Sequence, residues 1–254
     1  MSTAHILYEN EEWLPPFRAA FEAAGLACAE WFLDGACIDL AAPPPLGVFI
    51  SRMSASALTR GHDQAAATAG ALFDWLGLHG RRVVNGKEAL RLELSKVAQH
   101  TALAAAGVAT PRTVVASGLE RIEAAARAFG AAPFILKPNR GGKGLGVRLI
   151  QNIDDLRAAL PSIAAEPSGD NVWLIQEYCP APDGSIMRLE FIGGRLHYAV
   201  RVDTGGAFEL CPAEACATDG AARPMFEIVG ADAYPSINPL AVALERFLAR
   251  HEID

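Results

Sequence analysis

The chain has 254 residues, 51% hydrophobic and 20% charged, with a formal net charge of −7. That is enough apolar material for one large domain or two small ones, while the acidic balance argues against non-specific nucleic-acid or membrane-surface binding and no apolar run is long enough to span a bilayer. Five irregularly spaced cysteines form no disulfide framework, and the opening MSTAHILYENEEW lacks the basic region of a signal peptide, so a cytoplasmic chain with reduced thiols is expected.

Ala4 to Tyr8 reads as a buried strand, followed by an amphipathic helix from about Trp13 to Ala24 that Gly25 ends. Further strands are expected at Leu26–Leu33, Leu46–Ser51 and Arg82–Val84, with a helix over Asp63–Leu76. Strands alternating with helices at this spacing predict a small parallel α/β unit, residues 1–84. His5, on an apolar strand, is read as a packed core side chain. Beyond the third strand, where open α/β sheets bind ligands, Arg52, Arg60 and His62 stand among serines and could receive an anionic substrate group; a solvated loop is the equal alternative.

The spacing predicts one long helix over Lys87–Ala106, with Lys96 on its polar side and Gly107 as its stop. A strand at Thr113–Ala116 and a helix at Glu120–Phe129 follow. Pro133–Arg148, PFILKPNRGGKGLGVR, joins two strands through a loop carrying Gly141, Gly142, Gly144 and Gly146. Because a strand rather than a helix follows the glycines, this is neither a P-loop nor a Rossmann fingerprint. Glycines let backbone N–H groups turn toward an anion, and lysines beside them add fixed positive charge. Of 22 basic residues only four are lysine: Lys87, Lys96, Lys137 and Lys143. Compact ammonium groups suit phosphate oxygens, so Lys137, Lys143 and Lys96 are candidates for nucleotide contact, against the plainer reading of a Gly-rich turn in an arginine-biased chain.

A helix over Ile153–Leu160 starts near Asn152, where Asp154 and Asp155 complement the helix dipole, and 166–171 is a loop. The strand Val172–Tyr178 ends in Gln176-Glu177-Tyr178-Cys179 before a Pro-rich turn, a place where backbone groups can meet a flat base. Ser185–Ile192 and Arg195–Val202 form a Gly-Gly hairpin with Arg188 and Arg201 on its two arms. A last helix covers Pro239–His251, with Asn238 as N-cap and Pro239 at N1. Cys211 and Cys216 fall short of a four-ligand zinc site.

The order of these pieces resembles the ATP-grasp superfamily, closest to its glutamate-ligase and glutathione-synthetase-like branch. The pieces are Ser95-Lys96 on a helix, Gly107 to Thr113, FILKP with its glycine loop, Ile-Gln-Glu-Tyr, and the two hairpin arginines. The likeness spans about 80–254. It implies an α/β and α+β architecture: an N-terminal parallel pre-ATP-grasp domain (1–84), then an ATP-grasp domain (85–254) with a nucleotide lid at about 111–178 and a C-terminal subdomain at about 179–254.

On this resemblance, Lys96, Lys137 and Lys143 hold phosphates under the loop Gly141–Gly146. Gln176, Glu177, Tyr178 and Cys179 surround the adenine, and Asp183 reaches the ribose. Arg188 and Arg201 stabilise the transferring phosphoryl group. The implied activity is ATP- and Mg2+-dependent ligation of a small-molecule or peptide carboxylate to an amine through an acyl phosphate, with no nucleic-acid or membrane partner and with a homodimer compatible. A non-catalytic nucleotide-binding module and a phosphoryl transferase are the alternatives.

Two departures stand out. Relatives carry an Asp where Ile186 precedes Arg188, and they place magnesium on a Glu-x-Asn pattern beyond the last helix, whereas this sequence stops at Asp254. Either the metal strands are missing, the favoured expectation, or Asp203, Glu209 or Glu214 substitutes; the metal ligands stay unassigned.

Overall fold

The structure, a computed structural model, describes residues 3–142, 144–165, 169–181, 183–204, 226–230 and 237–254. It divides into two units, Met1–Leu94 with Ala249–Asp254, and Ser95–Leu248. The first unit thus runs past the 84/85 boundary expected from the sequence and takes in the last residues of the chain.

In the first unit, strands β1 (Thr3–Tyr8), β2 (Cys28–Phe32), β3 (Gly47–Arg52) and β4 (Arg82–Val84) form a parallel sheet in the order β2-β1-β3-β4. Helices α1 (Pro15–Ala23), α2 (Ala65–Leu78) and α3 (Lys87–Glu93) complete it. Leu7, Phe49, Leu72, Phe73 and Leu76 make the core. His5 belongs to that interior: it stacks on Phe49 at 4.5 Å, accepts from Trp31 Nε1 at 3.1 Å and lies 3.3 Å from the Leu46 carbonyl. Gly47, at φ 147°, is required there because a Cβ would lie 2.1 Å from the Thr3 carbonyl oxygen. β1 and β3 are neighbours although β2 intervenes in sequence, so the strand order reverses between them, the place where open α/β sheets of the doubly wound type receive ligands.

The helix expected over Lys87–Ala106 is broken. α3 stops at Glu93, and α4 (Lys96–Ala105) restarts after Ser95, whose backbone is extended and whose Oγ accepts from the Ala98 N–H at 3.2 Å. A serine competes for backbone donors better than it continues a helix, and here it caps the new one.

In the second unit, β5 (Thr113–Ser117), β6 (Phe134–Pro138), β7 (Arg148–Ile150) and β8 (Val172–Glu177) form an antiparallel sheet ordered β5-β8-β6-β7. Side chains alternate across it. Phe134, Leu136, Trp173 and Ile175 are buried with Ile122, Ala126 and Phe129 of α5 (Ile122–Phe129) and with Leu156 and Ile163 of α6 (Ile153–Ala165). Ile135, Lys137, Gln176 and Thr113 take the opposite face by the same alternation and register. Helix α6 runs through Pro161, past the expected end at Leu160. Its start is a reciprocal cap: Asn152 Oδ1 accepts from the N–H groups of Asp154 and Asp155, and Asp155 accepts from that of Gln151.

Strands β9 (Ser185–Ile192), β10 (Arg195–Asp203) and β11 (Phe226–Val229) make a second antiparallel sheet, ordered β11-β10-β9. β11 has no counterpart among the elements expected from the sequence. Helix α7 (Ile237–Arg250) begins before Asn238, so Asn238 and Pro239 lie in its first turn and Asn238 is not its cap.

Candidate functional site

The polar face of the four-stranded sheet and the start of α4 bring the lysines together. Lys96 Nζ donates to the carbonyls of Gly141, at 2.9 Å, and Asn139, at 3.3 Å. Lys137 Nζ donates to Gln176 Oε1 at 2.7 Å. Burial, and then the nearby Lys96 ammonium, push Lys137 down from 10.5 to about 8. Neither cause is an acidic neighbour, so the sheet holds a half-buried cation next to a second cation, against its own electrostatic preference.

Asn139, 6% exposed, ties this arrangement down. Its Oδ1 accepts from the Val97 N–H at 2.9 Å and from Ser95 Oγ at 3.0 Å, and its Nδ2 donates to Asp170 at 2.6 Å. Its backbone N–H donates to the Val172 carbonyl at 2.8 Å. One residue therefore joins the N-terminus of α4, the base of the glycine loop and the start of β8. Arg140 Nε lies 3.4 Å from the same Asp170 carboxylate. In the loop, Gly141, Gly144 and Gly146 have φ of 116°, 75° and 71°, values that favour glycine, and two turns close through Leu145 N–H to Gly142 O and Val147 N–H to Gly144 O. Lys143 lies outside the described residues.

The Gln176 side chain is held within the chain. Its amide lies between Lys137 and His100, with Nε2 2.7 Å from His100 Nε2 and 3.0 Å from Thr113 Oγ1. His100, Thr113, Asn139 and Asp170 are site residues that sequence reasoning did not find. The one available signal was His100, four positions after Lys96 and hence on the same side of α4.

Glu177 is exposed and accepts from the Arg112 N–H at 3.1 Å, while its own N–H donates to the Arg112 carbonyl at 2.8 Å. Tyr178 and the exposed Cys179 follow it at the end of β8.

Asp183 is already engaged. It accepts from Ser185 Oγ at 2.7 Å and from the Ser185 N–H at 3.1 Å, and it pairs with Arg201 at 3.0 Å. The Ser185 hydroxyl, then Arg201, hold its carboxyl down at about 2. These contacts close the turn into β9.

Arg188 and Arg201 are not brought together. The register pairs Arg188 with Val200 and Arg201 with Met187, which puts the two guanidinium groups on opposite faces of the hairpin. The expectation that both grip one phosphoryl group is corrected on that ground: Arg201 shares its face with Met187, and Arg188 is exposed on the other.

At the carboxyl ends of β1 and β3, the sequence-predicted anion receivers meet a carboxylate instead. Glu9, fully buried, takes a two-point ion pair from Arg60 and sits 3.0 Å from His62 Nδ1. Arg60 also donates to Ser56 Oγ at 2.8 Å and lies over the Trp13 ring at 4.8 Å. Arg52 differs: its guanidinium lies 5.6 Å from the Trp13 centroid and 5.2 Å from that of Phe17, and its Nε is buried with no hydrogen-bond partner among the described residues. Of the three, Arg52 is the one that pairs with no carboxylate among the described residues. Removing the buried carboxylate leaves two donors uncompensated, so Glu9→Gln is expected to destabilise the protein by roughly 3 kcal/mol, read as an earlier thermal transition. An unchanged transition would mean that Glu9 carries no such pair.

Among the described residues, no three His, Cys, Asp or Glu side chains are grouped so as to hold a metal ion. Asp203 ends β10 opposite Ser185, and Glu209, Glu214, Cys211 and Cys216 lie outside the described residues. Among the described residues, the cluster around Lys96, Lys137 and the glycine loop presents ammonium and N–H donors and no grouped carboxylates.

Residues 94–209, somewhat under half of the chain, match the family model for the RimK-like ATP-grasp domain. A RimK domain protein with ATP-grasp fold from Sphaerobacter thermophilus is 21% identical over 98% of this chain and 99% of its own, with a TM-score of 0.62. D-cycloserine synthetase DcsG is 17% identical over 100% and 83%, with a TM-score of 0.66. D-alanine–D-alanine ligase from Bacillus anthracis, complexed with ATP, is 15% identical over 98% and 78%, with a TM-score of 0.61. No curated protein matches the sequence. The chain thus has the fold of these structures, and residues 94–209 are similar to the RimK-like ATP-grasp domain.

Proposed function

We propose that this chain is an ATP-dependent carboxylate–amine ligase that forms an amide or peptide bond through an acyl phosphate. The observation that carries the reading is the Lys96–Lys137 pair: two ammonium groups beside a glycine loop, one of them depressed by its own burial and by the other's charge. Such an arrangement gains its counter-charge when a polyphosphate arrives. The ATP in the Bacillus anthracis ligase of the same fold supports that ligand.

In this reading a substrate carboxylate oxygen attacks the γ-phosphorus, the bond to the β–γ bridging oxygen breaks, and ADP leaves. An amine nitrogen then attacks the acyl carbon, the C–O bond to phosphate breaks, and the amine proton passes to solvent. Little proton chemistry is asked of side chains; positioning and charge neutralisation do most of the work. Lys96, Lys137 and the N–H groups of the loop bind and orient the phosphates, with Lys143 as a third ammonium. Glu177 and the backbone around Tyr178 and Cys179 hold the adenine. Arg201 is the guanidinium assigned to the transferring phosphoryl group, and Arg52 receives an anionic group of the substrate. Small-molecule or peptide carboxylates and amines are the substrate classes, in a cytoplasmic setting; no helix of the described residues is long and apolar enough to cross a membrane.

An ADP-release assay with panels of amino-acid and peptide carboxylates and amines tests the proposal. Amine-dependent ADP release with an amide product supports it. Nucleotide binding without turnover points to a non-catalytic module, and a phosphorylated end product to a phosphoryl transferase.

A further inference from the structure

Gln176 stands between a lysine and a histidine, and the donors and acceptors around it restrict which way its amide points. An ammonium has donors only, so the Gln176 atom 2.7 Å from Lys137 Nζ is the amide oxygen. The other end is then NH2, also donor-only, and it faces His100 Nε2 at 2.7 Å and Thr113 Oγ1 at 3.0 Å. One of its protons goes to each. His100 Nε2 must therefore be the unprotonated ring nitrogen, with the imidazole neutral. The Thr113 hydroxyl lies 2.9 Å from His100 Nε2 and 3.1 Å from the Pro111 carbonyl; its one proton goes to one of these acceptors while its oxygen accepts from Gln176.

With a proton on Nε2 the pattern fails. The imidazole could then donate to Thr113 Oγ1 at 2.9 Å, but the Gln176 NH2 would sit 2.7 Å from a ring N–H that cannot accept from it; turning the amide to relieve that contact would set NH2 against the ammonium. Buried donors facing donors cost on the order of 1–3 kcal/mol each. The state of one ring nitrogen in α4 thus decides which end of Gln176 meets the lysine.

We propose that His100, acting through Gln176 with Thr113 as brace, is a positioning residue for the Lys137 ammonium, holding it where a nucleoside polyphosphate binds. The polyphosphate part rests on the function proposed above; the ladder itself does not. The charged group facing His100 is Lys137 from β6; strands β5 and β8 present the neutral Thr113 and Gln176, and Lys96 lies one turn before it on its own helix. Burial, followed by the Lys137 charge, lowers the His100 pKa from 6.5.

His100→Gln and His100→Phe separate positioning from bulk. Gln retains an acceptor and cannot titrate; Phe fills the space and accepts nothing. By calorimetry at pH 8, His100→Gln is expected to bind ADP within about twofold of the parent, and His100→Phe about tenfold more weakly, the effect of one lost charge-assisted contact. Below pH 6.5 the parent should lose affinity relative to His100→Gln. Two results overturn the proposal: equal affinity of parent and His100→Phe at every pH, or parallel pH profiles for parent and His100→Gln. Nitrogen-15 NMR of the nucleotide-free protein supplies the independent arm. An Nδ1–H tautomer, and a Lys137 titration shifted in His100→Phe but not in His100→Gln, support the ladder even if no nucleotide binds, in which case it is the ligase reading that fails. An Nε2–H tautomer overturns the ladder whatever the nucleotide does.

Discussion

Lys137→Met is expected to raise the melting temperature while weakening ATP binding about 100-fold. Two opposing terms meet at this side chain. Without ligand, the ammonium is partly stripped of water, lies near Lys96, and is answered by one amide oxygen. Replacing it by an apolar chain of similar reach removes a charge the fold would rather not bury. With ATP present, the same ammonium makes a charge-assisted contact worth up to ~3 kcal/mol, which is about 100-fold in affinity.

The pH dependence carries a definite sign. The folded-state pKa of Lys137, about 8, lies below the ordinary 10.5, so between those values the unfolded chain binds the extra proton and stability rises with pH. The stability advantage of Lys137→Met should therefore shrink as pH climbs from about 8 toward 10.5. Calorimetry for affinity and thermal scans at several pH values check both halves. A variant that binds ATP like the parent would remove the nucleotide assignment, and one less stable at neutral pH would contradict the electrostatic account.

Asn139→Ala is expected to cost roughly 3 kcal/mol of stability and about tenfold in ATP affinity together. The side chain satisfies the Val97 N–H, the Ser95 hydroxyl and an Asp170 oxygen from a nearly enclosed position, and each group left unpaired costs on the order of 1 kcal/mol or more. Affinity falls for a separate reason: the Asn139 carbonyl is a partner of Lys96, so loosening residue 139 lets that lysine wander from the loop. Asp170→Asn keeps one oxygen for Asn139 Nδ2 but gives up the acceptor of the Val172 N–H, 3.2 Å away, and the charge beside Arg140, so a smaller loss of stability than in Asn139→Ala is expected by thermal melting. Full affinity in Asn139→Ala would show that Lys96 is positioned by something else.

Much of the fold can be read in the sequence because its signals are local. Apolar runs at Ala4–Tyr8 and Phe134–Leu136, glycines in the loop and Gly-Gly in the hairpin each act within a few residues of themselves. The failures share a cause of longer range. The stretch 87–106 has helical periodicity throughout, yet Ser95 breaks it, because Asn139, 44 positions on, takes the hydroxyl proton and the second free N–H of the new helix. Gln176 was legible as a site residue but not in its role, since the partners that orient it come from β5, β6 and α4. Asp183 and Glu9 illustrate the same limit: a lone carboxylate or arginine in a sequence gives no hint of the partner that will neutralise it in space. Arg188 and Arg201 were visible as a pair, but only the register shows which way each points.

That parity sets a lasting constraint on the hairpin. With an even–odd mismatch between the two arginines, no change of rotamer lets them share one anion, because a whole β-ribbon stands between their heads. Only a one-residue slip between the arms could bring them to the same side, and it would invert every other side chain of the slipped arm along with them. The ribbon therefore stands as a wall between Arg188 and Arg201, and substitutions at the two are expected to act independently.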